Sequence, residues 1–486
     1  MLTKSLFTAG INCHKLLWRT VNAPDPNALT PDEAQLFTME QGRLVGETAR
    51  TLFPGGVLVD IQGGTVEERV ARTAKAMESG APAVFEATFV ADDTLVKVDI
   101  LERDGDSWRM IEVKSSTQVK EEHLGDAAVQ LHVVLQNGIR PTSVEIMHLN
   151  KEYVHPLGDL FVREDVTEPA LKLIPTIERE IPRQLAVLDG SEPDVEIGAH
   201  CFEGDKCPLF DQCWPQSPDH IRHLYNTGPK KTIKYMERGI HFIPDLPKDE
   251  KLPPAGKRQV LAMAEGRLIV EDTLRTALEE FDVRLGFLDF ETVSFAIPVW
   301  EGCSPWHQIA AQFSYHHLLS DGTVSHKEHL ADGGQDPRQH LARLLIEATQ
   351  DADRVVTYSA FEKKVIRDLK TSAPGLAAEL DVLEEKLVDL LPVVRNHVYH
   401  PDFLGSFSIK YVLNPLVPDL TYEGLDVKNG LVASARISKL LLNGHELDEP
   451  KRKKERQGLL EYCKLDTLAM VKLLEKLKEL ADKPAS

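Results

Sequence analysis

At 486 residues the chain exceeds what one hydrophobic core ordinarily supports, so about two or three domains are expected. Its 42% hydrophobic and 27% charged residues are those of a soluble globular protein, and no apolar run approaches the roughly 20 residues of a membrane span. A formal net charge of −20 argues against broad non-specific binding to nucleic acid, although carboxylate-rich metal sites contribute to such a balance and are partly neutralised by their ions.

The chain opens with MLTKSLFTAGINCHKLLW, an apolar stretch interrupted by polar residues and followed by no cleavage site. It reads as a helix rather than a secretion signal, so a cytoplasmic protein with no membrane partner is expected. GRLVGETARTLF reads as a helix carrying Glu47. From Leu95 to Ser116, LVKVDILERDGDSWRMIEVKSS sets two apolar runs around an Asp-Gly step, the signal of a β-hairpin. Asp99 stands in apolar company on the first strand, and Glu112 and Lys114, two residues apart, share one face of the second. Such a carboxylate pair can bind a hard divalent cation, with Glu47 as a third ligand, and the neighbouring ammonium can position and polarise a water for attack on phosphorus. A surface hairpin with a salt bridge is the plainer alternative. Downstream, GDAAVQLHVVL is an amphipathic helix offering Gln130, TSVEIMHLN a strand and PALKLIPTIEREIPRQLAVL a helix.

The order helix Glu, strand Asp, strand Glu-x-Lys, helix Gln resembles the PD-(D/E)XK superfamily, specifically the RecB-like nucleases and their CRISPR-associated relatives. The resemblance implies a restriction-endonuclease-like α/β domain in which Asp99, Glu112, Lys114 and Gln130 serve catalysis with magnesium or manganese. Those relatives often carry His where this chain has Glu47, and Tyr where it has Val134.

Of six cysteines, Cys201, Cys207 and Cys213 lie together in HCFEGDKCPLFDQCW, Cys13 stands near the start, and Cys303 and Cys463 are isolated. In a cytosolic chain, clustering points to metal rather than to disulfides. Gaps of five residues do not match the C-x2-C pairs of common zinc modules, and three thiolates leave a four-ligand site incomplete. Cys13 can complete it, as can His14 or His200 around zinc. One N-terminal and three C-terminal cysteines resemble the iron-sulfur CRISPR-associated RecB-like nucleases, which implies a 4Fe-4S cluster on Cys13, Cys201, Cys207 and Cys213; zinc and unligated thiols are the alternatives.

The first domain is thus expected over residues 1–228, followed by a helical linker over 229–280. There Lys230, Lys231 and Lys234, read as a solvated face, precede the Pro-rich IPDLPKDEKLPPAGK, and EGRLIVEDTLRTALEEF reads as a helix. Over 281–486, LGFLDFETV, IAAQFSYHHLL and VSHKEHLA read as strands, PRQHLARLLIEATQ as a helix, RVVTYSA as a strand, FEKKVIRDLKT as a helix and RQGLLEYCKLDTLAMVKLLEKLKEL as a long closing helix. GSFSIK ends in Lys410, which can touch phosphate, although a loop entering a strand explains the segment as well; Lys451 to Lys454 read as a solvated basic linker before the last helix, with contact to backbone phosphates near Asp466 as the alternative.

Asp289 and Glu291 place two carboxylates on one face of an apolar strand, which is costly unless a cation bridges them. Glu362 follows the strand ending at Ser359, and Tyr462 and Asp466 lie one turn apart on the last helix. Four such carboxylates can hold two divalent ions for phosphodiester cleavage. The pattern resembles the DnaQ-like DEDD exonucleases, in the subgroup whose last motif is Tyr-x-x-x-Asp, over roughly residues 283–475. The resemblance implies a ribonuclease H-like fold with Tyr462 orienting the attacking water; the family usually has Asp at the position of Glu362. Together the halves resemble a bacterial family joining a RecB-like iron-sulfur nuclease domain to a DnaQ-like exonuclease domain. This implies metal-dependent processing of DNA ends or single strands in repair or defence, with RNA still open and protein partners undefined. The rival expectation is a nucleic-acid-binding scaffold with one or both sites inactive.

Overall fold

The computed structural model describes residues 1–59, 64–202, 207–319 and 322–482. It is a mixed α/β protein of two compact units: Met1–Trp214 with Phe295–His307, and Pro215–Ser294 with Gln308–Ser486. Among the described residues no helix is long and apolar enough to cross a membrane.

In the first unit, β1 (Leu2–Thr3), β2 (Val57–Leu58), β3 (Ala83–Ala91), β4 (Thr94–Asp104), β5 (Ser107–Lys114), β6 (Ser143–Leu149) and β7 (Phe161–Asp165) form one sheet. Its order is β2-β3-β4-β5-β6-β7, with β1 beside the start of β4. The hairpin expected from the Asp-Gly step joins β4 to β5: Asp104 pairs with Ser107, and Gly105 takes φ +62°, a conformation that suits glycine. β5 and β6 are parallel, as the crossover helix Glu121–Gln136 between them requires. That helix and Thr167–Asp189 bury Ala128, Leu131, Ile177 and Ile181 against Val96, Val98 and Leu101 of the sheet. Residues 295–307 close on the same unit, where Ala296 N donates to Gln41 Oε1 at 3.0 Å and the Trp306 indole to the Ser115 carbonyl at 2.6 Å.

The second unit holds β8 (Ile269–Val270), β9 (Leu285–Val293), β10 (Ile309–Leu318), β11 (Val324–Leu330), β12 (Arg354–Thr357), β13 (Leu387–Asp389) and β14 (Val398–Tyr399). Five of them form a sheet in the order β11-β10-β9-β12-β13, with β10 antiparallel to both neighbours and β12 parallel to β9 and β13. Alternation along β9 decides what faces what. Leu288 and Phe290 pack with Leu341, Leu345 and Val365, whereas Phe287 packs with Met470, Val471 and Leu474 of the closing helix Glu449–Asp482. Asp289 and Glu291 therefore point to the side of that helix.

Four expectations are corrected. No separate linker spans 229–280: that stretch, with 215–228, belongs to the second unit, because the Arg258 guanidinium donates to the Arg395 and Asn396 carbonyls and β8 pairs with β14. Within it, Pro254–Glu265 is a helix that starts on prolines, which fit its first turn, and ends at Gly266 (φ +62°), so EGRLIVEDTLRTALEEF is not one helix but β8 followed by the short turns Leu274–Ala277 and Glu279–Phe281. GSFSIK enters a helix, Ile409–Leu416, rather than a strand. Lys451 to Lys454 lie inside the closing helix, where Lys451 pairs with Asp448 at 3.2 Å and Lys454 with Asp426 at 3.7 Å.

Candidate active sites and metal centres

In the second unit, β9 carries Asp289 and Glu291, the helix Phe361–Ser372 carries Glu362 in its first turn, and the closing helix carries Tyr462 and Asp466. Ligand oxygens of Asp289, Glu291 and Asp466 lie within 4.8 Å of one another, the one set of three or more metal-ligating side chains this close among the described residues. Asp289, Glu362 and Asp466 line a cavity of about 550 Å³, whose other walls include Tyr225, Tyr358, Phe407 and Arg395.

The electrostatics are those of crowded, unneutralised acids. Burial raises the Asp289 carboxyl well above the carboxylate range, and the charges of Asp466, Glu362 and Glu291 raise it further. Burial and Asp466 do the same to Glu291, against the opposing charge of Lys410. Glu362 is pushed up to about 7, chiefly by burial. Asp466 is pushed up to about 6 by burial, although the Tyr422 hydroxyl, the Lys410 charge and Tyr462 favour its anion.

Three neighbours complete the site. The Tyr422 hydroxyl donates to Asp466 Oδ1 at 2.6 Å. Lys410 Nζ donates to the Tyr462 hydroxyl at 3.0 Å and stands 4.9 Å from the Tyr462 ring and 5.0 Å from that of Tyr422. The buried Cys463 thiol, expected to be isolated, lies 3.7 Å from Asp289 Oδ2. Tyr462 is itself buried, and its phenol is pushed up by burial and by Asp466, Glu291 and Asp289, so it stays neutral. Lys410 was visible as a candidate in GSFSIK, but no periodicity or motif marks Tyr422.

In the first unit, Glu112 and Lys114 project together from β5, with Lys114 Nζ 2.9 Å from Glu112 Oε1 and 2.5 Å from Asp126 Oδ2. Glu112 is 2% exposed, and its Oε2 accepts from Gln130 Nε2 at 2.6 Å. The β4/β5 register, Ile100 opposite Ile111, carried one residue on sets Asp99 against Glu112. Asp99 Oδ2 accepts from the Val113 amide at 2.7 Å. The four residues predicted from the hairpin and the following helix are thus assembled.

Glu47 does not join them. The helix Glu33–Arg50 buries Phe37, Gln41, Val45 and Ala49, a stripe that turns Glu47 outward, where it pairs with Arg43 at 2.6 Å and is 47% exposed. The same helix contributes Arg50, bonded at 2.8 Å to Glu86. Glu86 stands opposite Asp99, at a break in the β3/β4 ladder between the pairs Phe85–Ile100 and Ala87–Val98, and takes φ +56°. A non-glycine residue held there is strained, a feature that clusters at functional sites. Glu86, Asp99 and Glu112 thus form a row across three strands. The second residue the sequence reading missed is Lys4, whose Nζ lies 2.6 Å from Glu112 Oε1. Burial and Glu112 push Asp99 up to about 8. At Glu112 burial acts in the same direction but is overruled by Lys4, Lys114 and Gln130, which hold it down at about 2.

Cys13, Cys201, Cys207 and Cys213 line one recess together with Lys15 and His200. Burial raises the Cys207 and Cys213 thiols, and Cys13 and Cys201 raise both further. His200 Nε2 is 3.5 Å from Cys201 Sγ, and His14 faces Glu180 at 3.7 Å instead.

Residues 286–408 match the family described as Domain of unknown function (DUF2779). The match takes in Asp289, Glu291 and Glu362 and ends before Lys410, Tyr462 and Asp466. No curated protein matches the chain.

Proposed function

We propose that the protein is a metal-dependent nuclease that hydrolyses phosphodiester bonds of DNA at ends or in single strands, with one site in each unit. The observation that carries this reading is the convergence of Asp289, Glu291 and Asp466 within 4.8 Å beside Glu362. Acids so buried, with Asp289 and Glu291 raised further by their neighbours' charges, are a standing cost to the fold unless cations neutralise them. The order β11-β10-β9-β12-β13, antiparallel at its second strand, supports a ribonuclease H-like reading of the second unit. The run β3-β4-β5, helix, β6 supports a PD-(D/E)XK reading of the first.

Asp289, Glu291, Glu362 and Asp466 are the residues that would hold two magnesium or manganese ions in the second unit, and Asp99 and Glu112 those for the first. Such ions supply acidity to a bound water and charge stabilisation at the phosphate. The side chains do the positioning. Tyr462, neutral and fixed by Lys410, orients the attacking water in the second unit. In the first, Lys114, anchored between Glu112 and Asp126, presents an ammonium to water and phosphate, and Gln130 fixes the free edge of Glu112.

For the thiols we propose a 4Fe-4S cluster. Cys13, Cys201, Cys207 and Cys213 line one recess, and four thiolates are the ligand set that holds such a cluster. Four cysteines gathered in one recess point to metal rather than to disulfides, which suits a reducing, cytoplasmic compartment.

The test is incubation of the full-length protein with Mn²⁺ and end-labelled single-stranded DNA. Stepwise shortening that Asp289→Asn diminishes, and that Asp289→Asn with Lys114→Ala abolishes, is expected. A wild-type protein that cuts neither DNA nor RNA with Mg²⁺ or Mn²⁺ refutes the reading in favour of a scaffold.

A further inference from the structure

Lys4 is the first residue of the helix Lys4–Asn12, a place where the helix dipole disfavours a cation. Its position is nevertheless fixed. Leu2 is fully buried, β1 pairs with β4 at Thr94 and Leu95, the Thr3 hydroxyl caps the helix at the Leu6 amide, and Thr8 one turn on bonds Asp126 at 3.2 Å. The ammonium is thereby delivered to Glu112, 108 residues away, and faces Asp99 and Asp126 as well.

Both oxygens of Glu112 are committed. Oε1 accepts from Lys4 at 2.6 Å and Lys114 at 2.9 Å, and Oε2 accepts from Gln130 at 2.6 Å. With both lone-pair sites of Oε1 filled by ammoniums, a divalent ion reaches that oxygen only by displacing one of them. The two ammoniums are not held equally: Lys114 is gripped by Asp126 as well as Glu112, while the hydrogen bond that holds Lys4 is the one to Glu112. Lys4 also keeps 26% of its side chain exposed, against 18% for Lys114, which leaves it a way out. Charge points the same way. Asp99, Glu112 and Asp126 face two ammoniums; exchanging one for a doubly charged ion makes the set neutral, whereas adding the ion beside both leaves surplus positive charge at the Glu112 oxygen.

We propose that Lys4 is a built-in counter-ion of the first site, a positioning residue whose ammonium holds Glu112 in the metal-free protein and is exchanged for the divalent cation when it binds. The proposal rests on reading Asp99 and Glu112 as metal ligands. It gives the first site an internal competitor, so that metal occupancy is set by an exchange between two cations rather than by filling an open cage.

The exchange is read on the folded protein without cleavage. The full-length protein carrying Asp289→Asn and Asp466→Asn, which disables the second site, is labelled briefly with an amine-acylating reagent with and without saturating Mg²⁺, and each lysine is quantified by mass spectrometry. Lys4 labelling is expected to rise several-fold with Mg²⁺ while exposed Lys230 stays constant. In the same background, Lys4→Met should tighten Mn²⁺ binding in calorimetry at least tenfold, with Lys4→Arg near the parent. Mg²⁺ binding with Lys4 labelling unchanged or lowered overturns the proposal alone. No Mg²⁺ or Mn²⁺ binding in either the parent or Lys4→Met overturns it together with the first-site reading.

Discussion

Asp466→Asn offers a test in which stability and chemistry move in opposite directions. The Asp466 carboxyl rises on folding from its ordinary 3.8 to about 6, so the folded protein holds that proton more tightly than the unfolded chain. Stability is therefore unaffected by this group below about pH 4, falls as pH rises through 6, and above that carries a penalty of about 3 kcal/mol. Asparagine removes the buried charge yet keeps an oxygen to accept from the Tyr422 hydroxyl. In EDTA at pH 7.5 the variant should be more stable by up to about 3 kcal/mol, roughly 5–10 °C in the melting temperature of a unit this size. At pH 4 the gain should vanish. With Mn²⁺ at about 1,000 times its dissociation constant the order should reverse, since the wild type gains about 4.1 kcal/mol from an ion the variant no longer holds well. Differential scanning calorimetry at three pH values, with EDTA and then Mn²⁺, measures all of this. A variant less stable than wild type in EDTA at pH 7.5, or a wild type indifferent to Mn²⁺, refutes the argument that these acids await cations.

Tyr462→Phe keeps the ring packed on the closing helix but deletes the hydroxyl bonded to Lys410, so nucleotide removal should slow by about 10- to 100-fold while calorimetric Mn²⁺ affinity stays within about twofold. Because Asp99 rises to about 8, it is protonated at pH 6.5 in the metal-free first site and must release that proton to bind metal; with the second site disabled by Asp289→Asn and Asp466→Asn, calorimetry in buffers of different ionisation heat should count about one proton released at pH 6.5 and almost none at pH 9.5. Cys13→Ala should lose the iron and acid-labile sulfide of the anaerobically purified protein and lower the first unit's melting temperature; full iron content in the variant would remove Cys13 from the ligand set.

What the sequence made legible was local. The Asp-Gly step located the hairpin, and period-two spacing put Glu112 beside Lys114 and Asp289 beside Glu291, because a strand's own alternation fixes those relations whatever it pairs with. The closing helix and its Tyr-x-x-x-Asp turn were visible for the same reason. The residues that escaped are placed by pairings between distant segments. Glu86 becomes a neighbour of Asp99 through the β3/β4 register and a left-handed backbone that its own sequence disfavours, and Tyr422 reaches Asp466 from 44 residues upstream. Glu47 shows the converse error: its chemistry and its helix suit the site, but the buried stripe Phe37, Gln41, Val45 and Ala49 turns it away, and the polar Gln41 in that stripe hides the pattern from the sequence. Lys4 is the most instructive case, since a lysine at a helix start contradicts the helix's own electrostatics. Such a conflict is tolerable only where distant charge outweighs it, and here three carboxylates do. Local rules that a folded chain breaks thus mark where its long-range electrostatics were built, and in this first unit the broken rules at Glu86 and Lys4 surround the same pair, Asp99 and Glu112.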